Sequence, residues 1–495
     1  MRLVCAILAV ITFNVCAVNF STIDLKHDIE YVDGVEIHDF AGANEPDIVL
    51  IGRNKERQKQ LQLVAIEQGK LDENTSFITD LDANVLFYQK AKLANHDKQV
   101  MLFLLPDQIA YFDMKTKSLK TLIQTQSIYR NSHALTSKIS RLEFTHDINN
   151  DELTDLIIAD FEQTYVYVQQ KDGSFADAQA LEMLAQRRVL FDTGAVYINA
   201  ELMINDFNSD GENDIVYRFD NDLYVFLQTT KGQFATKPIV QNLGFKHPLD
   251  NRYDQFNEDQ SNLTTHTFFG MNDLNADGLM DMVTQVTKSS GLLDKSSQYS
   301  IYLGQKAEEN ENLTQFPSEP SATIGSKGMQ FEMQLTDFNG DGYLDIVSPS
   351  YELGVGSIIA SLFSSSADLD IAFHPMIEGK SFNNKPLTTK EITVDFDLSS
   401  GQRVYPLLIL GDFDGDGKKD LLTGHNGKKL YLRKAQTGKR AFARKAEKFN
   451  IKLPRDGRLI SAGKFNDDEK MDLVIRYDRL DGKELSSKIK VLITN

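Results

Sequence analysis

The aspartates of this chain fall into a short repeated pattern whose chemistry is that of a cation site. The segment 412–420 reads Asp-Phe-Asp-Gly-Asp-Gly-Lys-Lys-Asp, with acids at positions 1, 3, 5 and 9 and glycine at positions 4 and 6. The segments 337–345, 273–281 and 206–214 repeat the pattern with Asn at position 3, and 147–155 is a fifth copy that lacks the glycine. Carboxylate and amide oxygens gathered in one tight turn are the ligands that a hard divalent cation takes in proteins.

Calcium is the cation that fits this pattern best. It takes about six to eight oxygens, which the side chains at positions 1, 3, 5 and 9 and the carbonyl at position 7 can supply. Glycine at position 6 permits the sharp turn, whereas Mg²⁺ keeps its own waters and prefers few protein ligands. We therefore predict several structural Ca²⁺ ions, held by Asp147, Asn149, Asp151, Asp155, Asp206, Asn208, Asp210, Asp214, Asp273, Asn275, Asp277, Asp281, Asp337, Asn339, Asp341, Asp345, Asp412, Asp414, Asp416 and Asp420.

The alternative interpretation is an acidic turn that needs no ion, because Asp and Asn side chains also stabilise turns through their own hydrogen bonds. It is strongest for the copy at 147–155, where Glu152 replaces the glycine. In the full copies, three or four acids within one turn would repel each other without a cation. Two degenerate copies are not predicted to bind metal: 464–472 has Lys464 at position 1, where an ammonium group replaces the ion, and 39–47 keeps only its outer acids.

The residues around each copy predict that these loops join β-strands. A short apolar strand precedes each copy, and the last aspartate opens a hydrophobic strand, as in 214–217 and 345–348. Gly/Asn/Asp turns and a further β-rich segment follow, which is typical of small antiparallel sheets. A unit without the aspartates lies near residue 93, so that eight anchors recur about every 61 residues. Four-stranded units repeated at this length indicate a β-propeller, an all-β fold of about 4–8 blades.

Eight anchors predict eight four-stranded blades, and seven is the alternative if the unit near 93 is an elaborated connection. The last unit ends after three strands, so we expect residues 19–31 to supply its missing outer strand. The stretch 349–405 is interpreted as an insertion within one blade. We expect residues 18–495 to form this single propeller domain, with the phenylalanines at position 2 (Phe207, Phe338, Phe413 and Phe465) in its core.

These aspartate repeats resemble the FG-GAP/VCBS-type repeats of integrin-α-like β-propellers. The resemblance is strong over 147–472 and weak before it. It implies a calcium ion with a structural role in the loop between the first two strands of a blade, and ligands met by loops on the propeller faces. It specifies the fold and the metal better than the function, because propellers include binding proteins and enzymes alike.

The N-terminal segment and the overall charge restrict the location and the partners. Residues 1–17 read as a signal peptide, with a basic start, an apolar run that is too short to span a bilayer, and Val15-Cys16-Ala17 before the expected cleavage. We therefore expect a secreted or periplasmic protein with no membrane span after removal of the signal, and with neither cysteine retained. The chain carries 53 Lys+Arg against 71 Asp+Glu, a formal net charge of −18, which disfavours nucleic acid and anionic membranes as partners.

The sequence contains no recognisable catalytic motif. Its nine histidines are scattered, and His38 and His146 are interpreted as strand-end residues. There is no Gly-x-Ser-x-Gly motif and no phosphate-binding glycine loop. The leading hypothesis is a non-enzymatic, calcium-stabilised scaffold that binds an unknown protein or glycan. The alternatives are a polysaccharide lyase or hydrolase on the same scaffold, which a Tyr/Arg/His/Glu cluster would favour, and a subunit of a larger surface assembly.

Overall fold

The last aspartate of each repeat begins a strand, as the sequence predicts. The computed structural model describes residues 18–41, 46–67, 70–129, 138–190, 194–198, 200–245, 263–290, 295–306, 313–327, 329–330, 333–351, 366–395, 405–425, 427–438, 440–466 and 468–495. The predicted signal peptide at 1–17 lies outside these residues. Parts of the predicted insertion at 349–405 also lie outside the described residues. Its described part, 366–395, supplies two strands of one sheet and a small hairpin, Met376–Ile377 with Ser381–Phe382.

Within these described ranges, the strands form eight antiparallel blades of four strands, with one extra short strand in each of two blades. The strands are given in sheet order from first to fourth. Blade 1 consists of Tyr31–His38, Asp47–Arg53, Lys59–Glu67 and Lys70–Asp80, and blade 2 of Phe87–Ala91, Val100–Leu104, Gln108–Asp113 and Ser118–Gln124. Blade 3 consists of Thr145–His146, Asp155–Ala159, Thr164–Tyr167 and Gln179–Leu181, and blade 4 of Glu201–Asn205, Asp214–Phe219, Asp222–Phe226 and Ile239–Asn242.

Blades 5 to 8 have the same plan. Blade 5 consists of Thr264–Asn272, Asp281–Ser289, Lys295–Tyr302 and Ala322–Lys327. Blade 6 begins with Gln334–Thr336 and Met329–Gln330, followed by Asp345–Tyr351, Ser366–His374 and Thr388–Asp395. Blade 7 consists of Leu408–Gly411, Asp420–His425, Lys429–Arg433 and Glu447–Asn450, and blade 8 of Ile460–Gly463, Asp472–Arg476, Lys488–Thr494 and Phe20–Lys26. The remaining described elements are Ser140–Arg141, parallel to the first strand of blade 2, the hairpins Gln186–Leu190 with Gly194–Ile198 and Gln228–Thr230 with Gln233–Phe234, and the 3₁₀ turns Gly457–Leu459 and Arg479–Asp481.

The ring is an eight-bladed β-propeller, because the unit near residue 93 supplies blade 2 rather than a connection. Its closure follows the prediction from the sequence. The N-terminal strand Phe20–Lys26 pairs antiparallel with the C-terminal strand Lys488–Thr494, with Phe20 opposite Thr494 and Lys26 opposite Lys488. Both ends of the described chain therefore lie in one sheet, in which Phe20–Lys26 is the fourth strand and covers the edge of Lys488–Thr494.

The core lies between the blades. Successive residues of the second strand of blade 1 face opposite neighbours: Val49 and Ile51 pack against blade 2, whereas Ile48 and Leu50 pack against blade 8. This is the two-residue period of a strand that is buried on both faces. Each of the eight junctions between adjacent blades in the described residues holds one apolar cluster of this kind.

The position-2 phenylalanines are core residues, as predicted. Phe207 is 1% exposed and Phe413 is fully buried, and Phe338 and Phe465 are buried as well. The described residues contain no helix that is long and apolar enough to cross a bilayer.

Candidate metal loops on one face of the propeller

The five aspartate repeats share one loop geometry, and we call the segments 147–155, 206–214, 273–281, 337–345 and 412–420 the Asp loops. Each of them joins the first strand of a blade to the second. In the loop of blade 4, Asp206 Oδ1 accepts a hydrogen bond from the N–H of Asp210 at 3.0 Å, and its Oδ2 accepts one from Gly211 at 2.8 Å. The equivalent carboxylate makes the same two contacts in the other four loops.

The side chains at positions 3 and 5 turn towards the same interior. In the loop of blade 4, Asn208 Oδ1 accepts from the N–H of Asp210 at 3.1 Å, and Asn208 Nδ2 donates to Asp210 Oδ2 at 2.8 Å. Asp210 Oδ1 accepts from the N–H of Glu212 at 2.9 Å. The loop thus holds the side chains at positions 1, 3 and 5 around one turn through its own backbone N–H groups.

Two residues of each Asp loop have left-handed backbone conformations, which explains the glycines of the pattern. Position 4 has φ of 59° at Ser209 and 76° at Gly415, and position 6 has φ of 94° at Gly211 and 82° at Gly417. Glycine takes these angles without the clash that a Cβ brings. Glu152 adopts the same conformation, with φ of 67°. The copy at 147–155 therefore keeps the loop geometry without its glycine.

The aspartate at position 9 accepts two backbone hydrogen bonds that the sequence does not predict. Asp214 is completely buried; its Oδ2 accepts from the N–H of Phe207 at 3.0 Å and its Oδ1 from that of Gln228 at 2.9 Å. The same pair of contacts recurs in the other Asp loops and in the copy at 464–472. This residue joins the start of its loop to the chain beyond the third strand of the same blade, so it is a structural link as well as a candidate ligand.

Burial raises the pKa of these position-9 carboxyls, and the neighbouring acids of the loop raise it further. The pKa is raised to about 7 at Asp155, Asp345 and Asp420, and to about 6 at Asp214 and Asp281. In each case the backbone N–H groups that donate to the carboxylate oppose the shift. The rise is due chiefly to the loss of hydration on burial, and a cation bound next to the carboxylate would lower the pKa again.

The loop of blade 7 brings its acids closest together. One carboxylate oxygen each of Asp412, Asp414 and Asp420 lies within 4.8 Å of the other two. This all-oxygen set suits a hard cation such as Ca²⁺, and Asp412, Asp414 and Asp420 would hold it there. Two lysines already lie close to acids of this loop: Lys434 Nζ is 2.9 Å from Asp414 Oδ2, and Nζ of Lys418, which belongs to the loop, is 2.9 Å from Asp416 Oδ2.

In each of the two degenerate copies, a lysine ammonium group lies against an acid of the loop. In blade 8, Lys464 Nζ pairs with the Glu469 carboxylate within the same loop. In blade 1, Lys98 Nζ reaches from the loop of blade 2 to Asp39 Oδ2. Residues 42–45 and 467 of these copies lie outside the described residues. An ammonium group thus neutralises an acid in both loops.

The loops of neighbouring blades contact each other along one face of the propeller. Asn213 Nδ2 donates to Asn150 Oδ1 at 3.1 Å, which joins blades 4 and 3. Ser209 Oγ donates to the carbonyl of Gly278 at 3.1 Å, which joins blades 4 and 5. The N–H of Met471 donates to the carbonyl of Asp412 at 2.7 Å, which joins blades 8 and 7. Direct hydrogen bonds therefore join the loops of these neighbouring blades.

A second group of charged residues, which are far apart in the sequence, lies where blades 8, 1 and 2 meet. Glu36 Oε1 is 3.8 Å from Arg141 Nη1, and a Cβ at Gly34 would lie 2.0 Å from Tyr88 Oη. Burial raises the pKa of Tyr88 to about 12, and it lowers the pKa of Arg476, whose charge acts on both Tyr88 and Glu36. Tyr88 is 4% exposed and Glu36 7%. The cluster is a packed polar junction rather than an open pocket.

The described histidines lie apart in the ring. His38 and His146 end their strands, as predicted. The buried His27 and His374 each place Nδ1 against a main-chain carbonyl, at 3.1 Å from Ile29 and 2.9 Å from Asn383. Their contacts are those of structural residues. His133 and His247 lie outside the described residues.

Comparison with protein-family models found no match, and comparison with curated proteins found none either. Among solved structures, a lectin of Agrocybe aegerita, described as recognising non-reducing terminal N-acetylglucosamine, is similar at 14% identity and a TM-score of 0.38, over 75% of this chain and 83% of the lectin. The Tc holotoxin pore of Photorhabdus luminescens is similar at 14% identity and a TM-score of 0.32, over 79% of this chain and 17% of that chain. Both similarities are too distant to support a conclusion about function.

Proposed function

We propose that this chain is an FG-GAP/VCBS-type propeller that is stabilised by calcium and acts as a non-enzymatic scaffold for binding a protein or glycan. The observation that carries the calcium part is the convergence of Asp412, Asp414 and Asp420 within 4.8 Å in a loop whose geometry recurs in four other blades. Calcium would supply positive charge next to the position-9 aspartates, whose carboxyls are buried beside the other acids of the loop.

The binding part rests on the architecture. The loops of neighbouring blades are fastened together on one face, which makes that face a stiff platform from which other loops can contact a partner. The residues with enzyme-like chemistry, Glu36 and Tyr88, are buried between blades and are not placed to meet a polymer. A lyase or hydrolase on the same scaffold is the alternative function.

The location is proposed from the sequence. A signal peptide at 1–17 would send the protein to the periplasm or out of the cell. N-terminal sequencing of the protein recovered from those fractions should begin at Val18. Recovery of the chain in the cytosol with Met1 still attached would contradict export.

One paired experiment separates the two functions. The calcium-loaded protein is applied to a glycan array and to a panel of candidate surface proteins, and the same polysaccharides are assayed for release of reducing sugars and of unsaturated products. Binding without product release is the expected result. Product release that survives repeated purification would favour the enzyme instead.

A further inference from the structure

A group of basic and aromatic side chains lies at the junction of blades 6 and 7. The ring of Tyr431 stacks on that of His425, with centroids 5.0 Å apart and an angle of 17° between the ring planes. The Arg433 guanidinium carbon lies 5.9 Å from the Tyr431 ring centroid, and Lys448 Nζ lies 5.2 Å from it. Two rings and two cations from three strands of blade 7 therefore share one patch.

The strand register places this patch on the side of blade 7 that faces blade 6. Tyr431 lies opposite Thr423 and Lys448, and Arg433 lies opposite Leu421, which packs in the apolar cluster shared with blade 6. On blade 6, Lys390 lies opposite Ile371, a member of the same cluster. Lys390 thus faces the patch from the other side of the junction.

These cations lack acidic partners. Among the described residues, none of Lys390, Arg433, Arg440 and Lys448 forms an ion pair with a carboxylate, although the chain has 71 acids against 53 bases. Arg433 Nη1 donates a hydrogen bond to Thr423 Oγ1, at 3.4 Å. Burial lowers the pKa of Arg433, and the pKa of Lys390 is lowered by burial and then by the charges of Arg433 and Arg440. The positive charges repel each other, and none of them is paired with an anion in the part of the chain that the structure describes.

The ring of Tyr31 offers a comparison within the molecule. Arg53, Arg57 and Arg479 lie over this ring, at 5.6, 3.8 and 4.1 Å. Two of these guanidinium groups are paired, Arg53 with Asp33 at 2.8 Å and Arg479 with Glu30 at 2.7 Å. At Tyr431, neither cation over the ring has a carboxylate partner among the described residues.

We propose that Tyr431, His425, Arg433, Lys448 and Lys390 form a binding site for a uronate residue of an acidic glycan. This inference rests on the binding function proposed above and names its ligand class. An aromatic ring offers a flat apolar surface to the C–H face of a sugar, and a guanidinium is suited to a carboxylate. The patch provides both within a few ångströms.

The overall charge selects among anionic ligands. Nucleic acid carries a phosphate charge about every 1.7 Å of duplex, and the acidic surface of a chain with net charge −18 would repel it. A chain of uronates carries one carboxylate per sugar. One patch of three bases is sufficient to bind such a residue.

The test uses the full chain in calcium and a panel of tetrasaccharides of galacturonate, glucuronate and mannuronate, each as the free acid and as the methyl ester. The ester keeps the ring and removes the charge. We expect at least one acid to bind in isothermal titration calorimetry, with an affinity roughly tenfold above that of its ester, and weaker binding in added salt.

Three variants locate the site. Arg433→Gln should weaken binding of the acid by roughly tenfold, and the exposed Lys448→Gln, which is not expected to affect folding, by roughly threefold. Arg479→Gln, which removes a cation from the ring of Tyr31, is the matched control and should leave binding unchanged. The proposal is overturned if no acid binds better than its ester, or if Arg433→Gln and Lys448→Gln both bind as the wild type does. Binding of a neutral glycan or a protein that these variants retain would leave the scaffold function standing while removing this site.

Discussion

The carboxylate of Asp214 and the backbone N–H of Gln228 are joined by a buried hydrogen bond of 2.9 Å, across fourteen residues of chain. Together with the bond from Phe207, it fastens the Asp loop of blade 4 to the end of the third strand. Because the same link recurs in blades 3 to 8, the position-9 aspartate stabilises the fold independently of any ion.

Asp214→Ala should therefore destabilise the protein even without calcium. It leaves two buried N–H groups without an acceptor, for which we expect a loss of about 3 kcal/mol in the free energy of unfolding. The measurement is urea denaturation in EGTA. Asp210→Ala, in the exposed part of the same loop, is the control and should cost less under those conditions. Equal losses would show that the buried link contributes nothing of its own.

Removal of calcium should lower the melting temperature of the wild-type protein by several degrees. An ion that binds only the folded state stabilises it by mass action, by about 2.7 kcal/mol at a hundredfold excess over its dissociation constant. Differential scanning calorimetry in EGTA, and again after calcium is restored, measures the shift. A transition that is the same in both would mean that the loops stabilise the fold without metal.

The complete and degenerate loops should respond differently to loss of the position-5 acid. In calcium, Asp416→Ala should lower the melting temperature more than Asp468→Ala, because Lys464 and Glu469 already pair in the loop of blade 8. In EGTA the difference should shrink. If the two variants lose the same stability in calcium, either both loops bind the ion or neither does.

Glu152→Gly should stabilise the protein. Glu152 has φ of 67°, a conformation that costs an L-residue roughly 1–2 kcal/mol and costs glycine little. Its ion pair with Lys92 is exposed, so losing that pair has only a small effect. Glu152→Ala removes the same charge but keeps the strain, and serves as the control in chemical denaturation. No gain for glycine over alanine would mean that the loop relaxes to avoid the strain.

A buried lysine should make stability depend on pH. Lys59 is 1% exposed and donates to the carbonyls of Ala83 and Val85, at 2.7 and 2.6 Å. Burial, followed by the charge of Arg53, lowers its pKa from 10.5 to about 8. The unfolded chain binds more protons at this group between pH 8 and 10.5, so the contribution of Lys59 to stability should rise with pH across that range, by up to about 3 kcal/mol.

The readout for Lys59 is the slope of unfolding free energy between pH 7.5 and 9.5. Lys59→Met should have a flatter slope than the wild type, whatever its absolute stability. Parallel slopes for the two proteins would show that this ammonium group is not perturbed by the fold.

Much of the fold was predictable because the repeat marks the same point in each blade. Asp214 and Asp345, for example, begin the second strand of their blades, and the apolar residues after them alternate between two neighbouring cores. The closing strand was predictable as well, since the last unit lacks a fourth strand. The repeat spacing alone left seven blades as an alternative, because the unit near residue 93 keeps strands without the acids.

The chemistry between blades was not predictable. Lys390 and Arg433 are far apart in sequence, and their charges interact only because blades 6 and 7 stack with particular strand faces opposed. Glu36 and Arg476 are brought together by ring closure across almost the whole chain. Likewise, the sequence shows an acid at position 9, but only the fold shows that it accepts hydrogen bonds from two backbone N–H groups.

The pairing of Phe20–Lys26 with Lys488–Thr494 has a consequence for how the molecule comes apart. Linear repeat arrays lose structure from their terminal units inwards, since those units have a neighbour on one side only. Here each blade has two neighbours and no unit is terminal, so fraying has no natural starting point. Denaturation should then occur as one concerted transition, and a protease should find either an intact ring or a wholly unfolded chain.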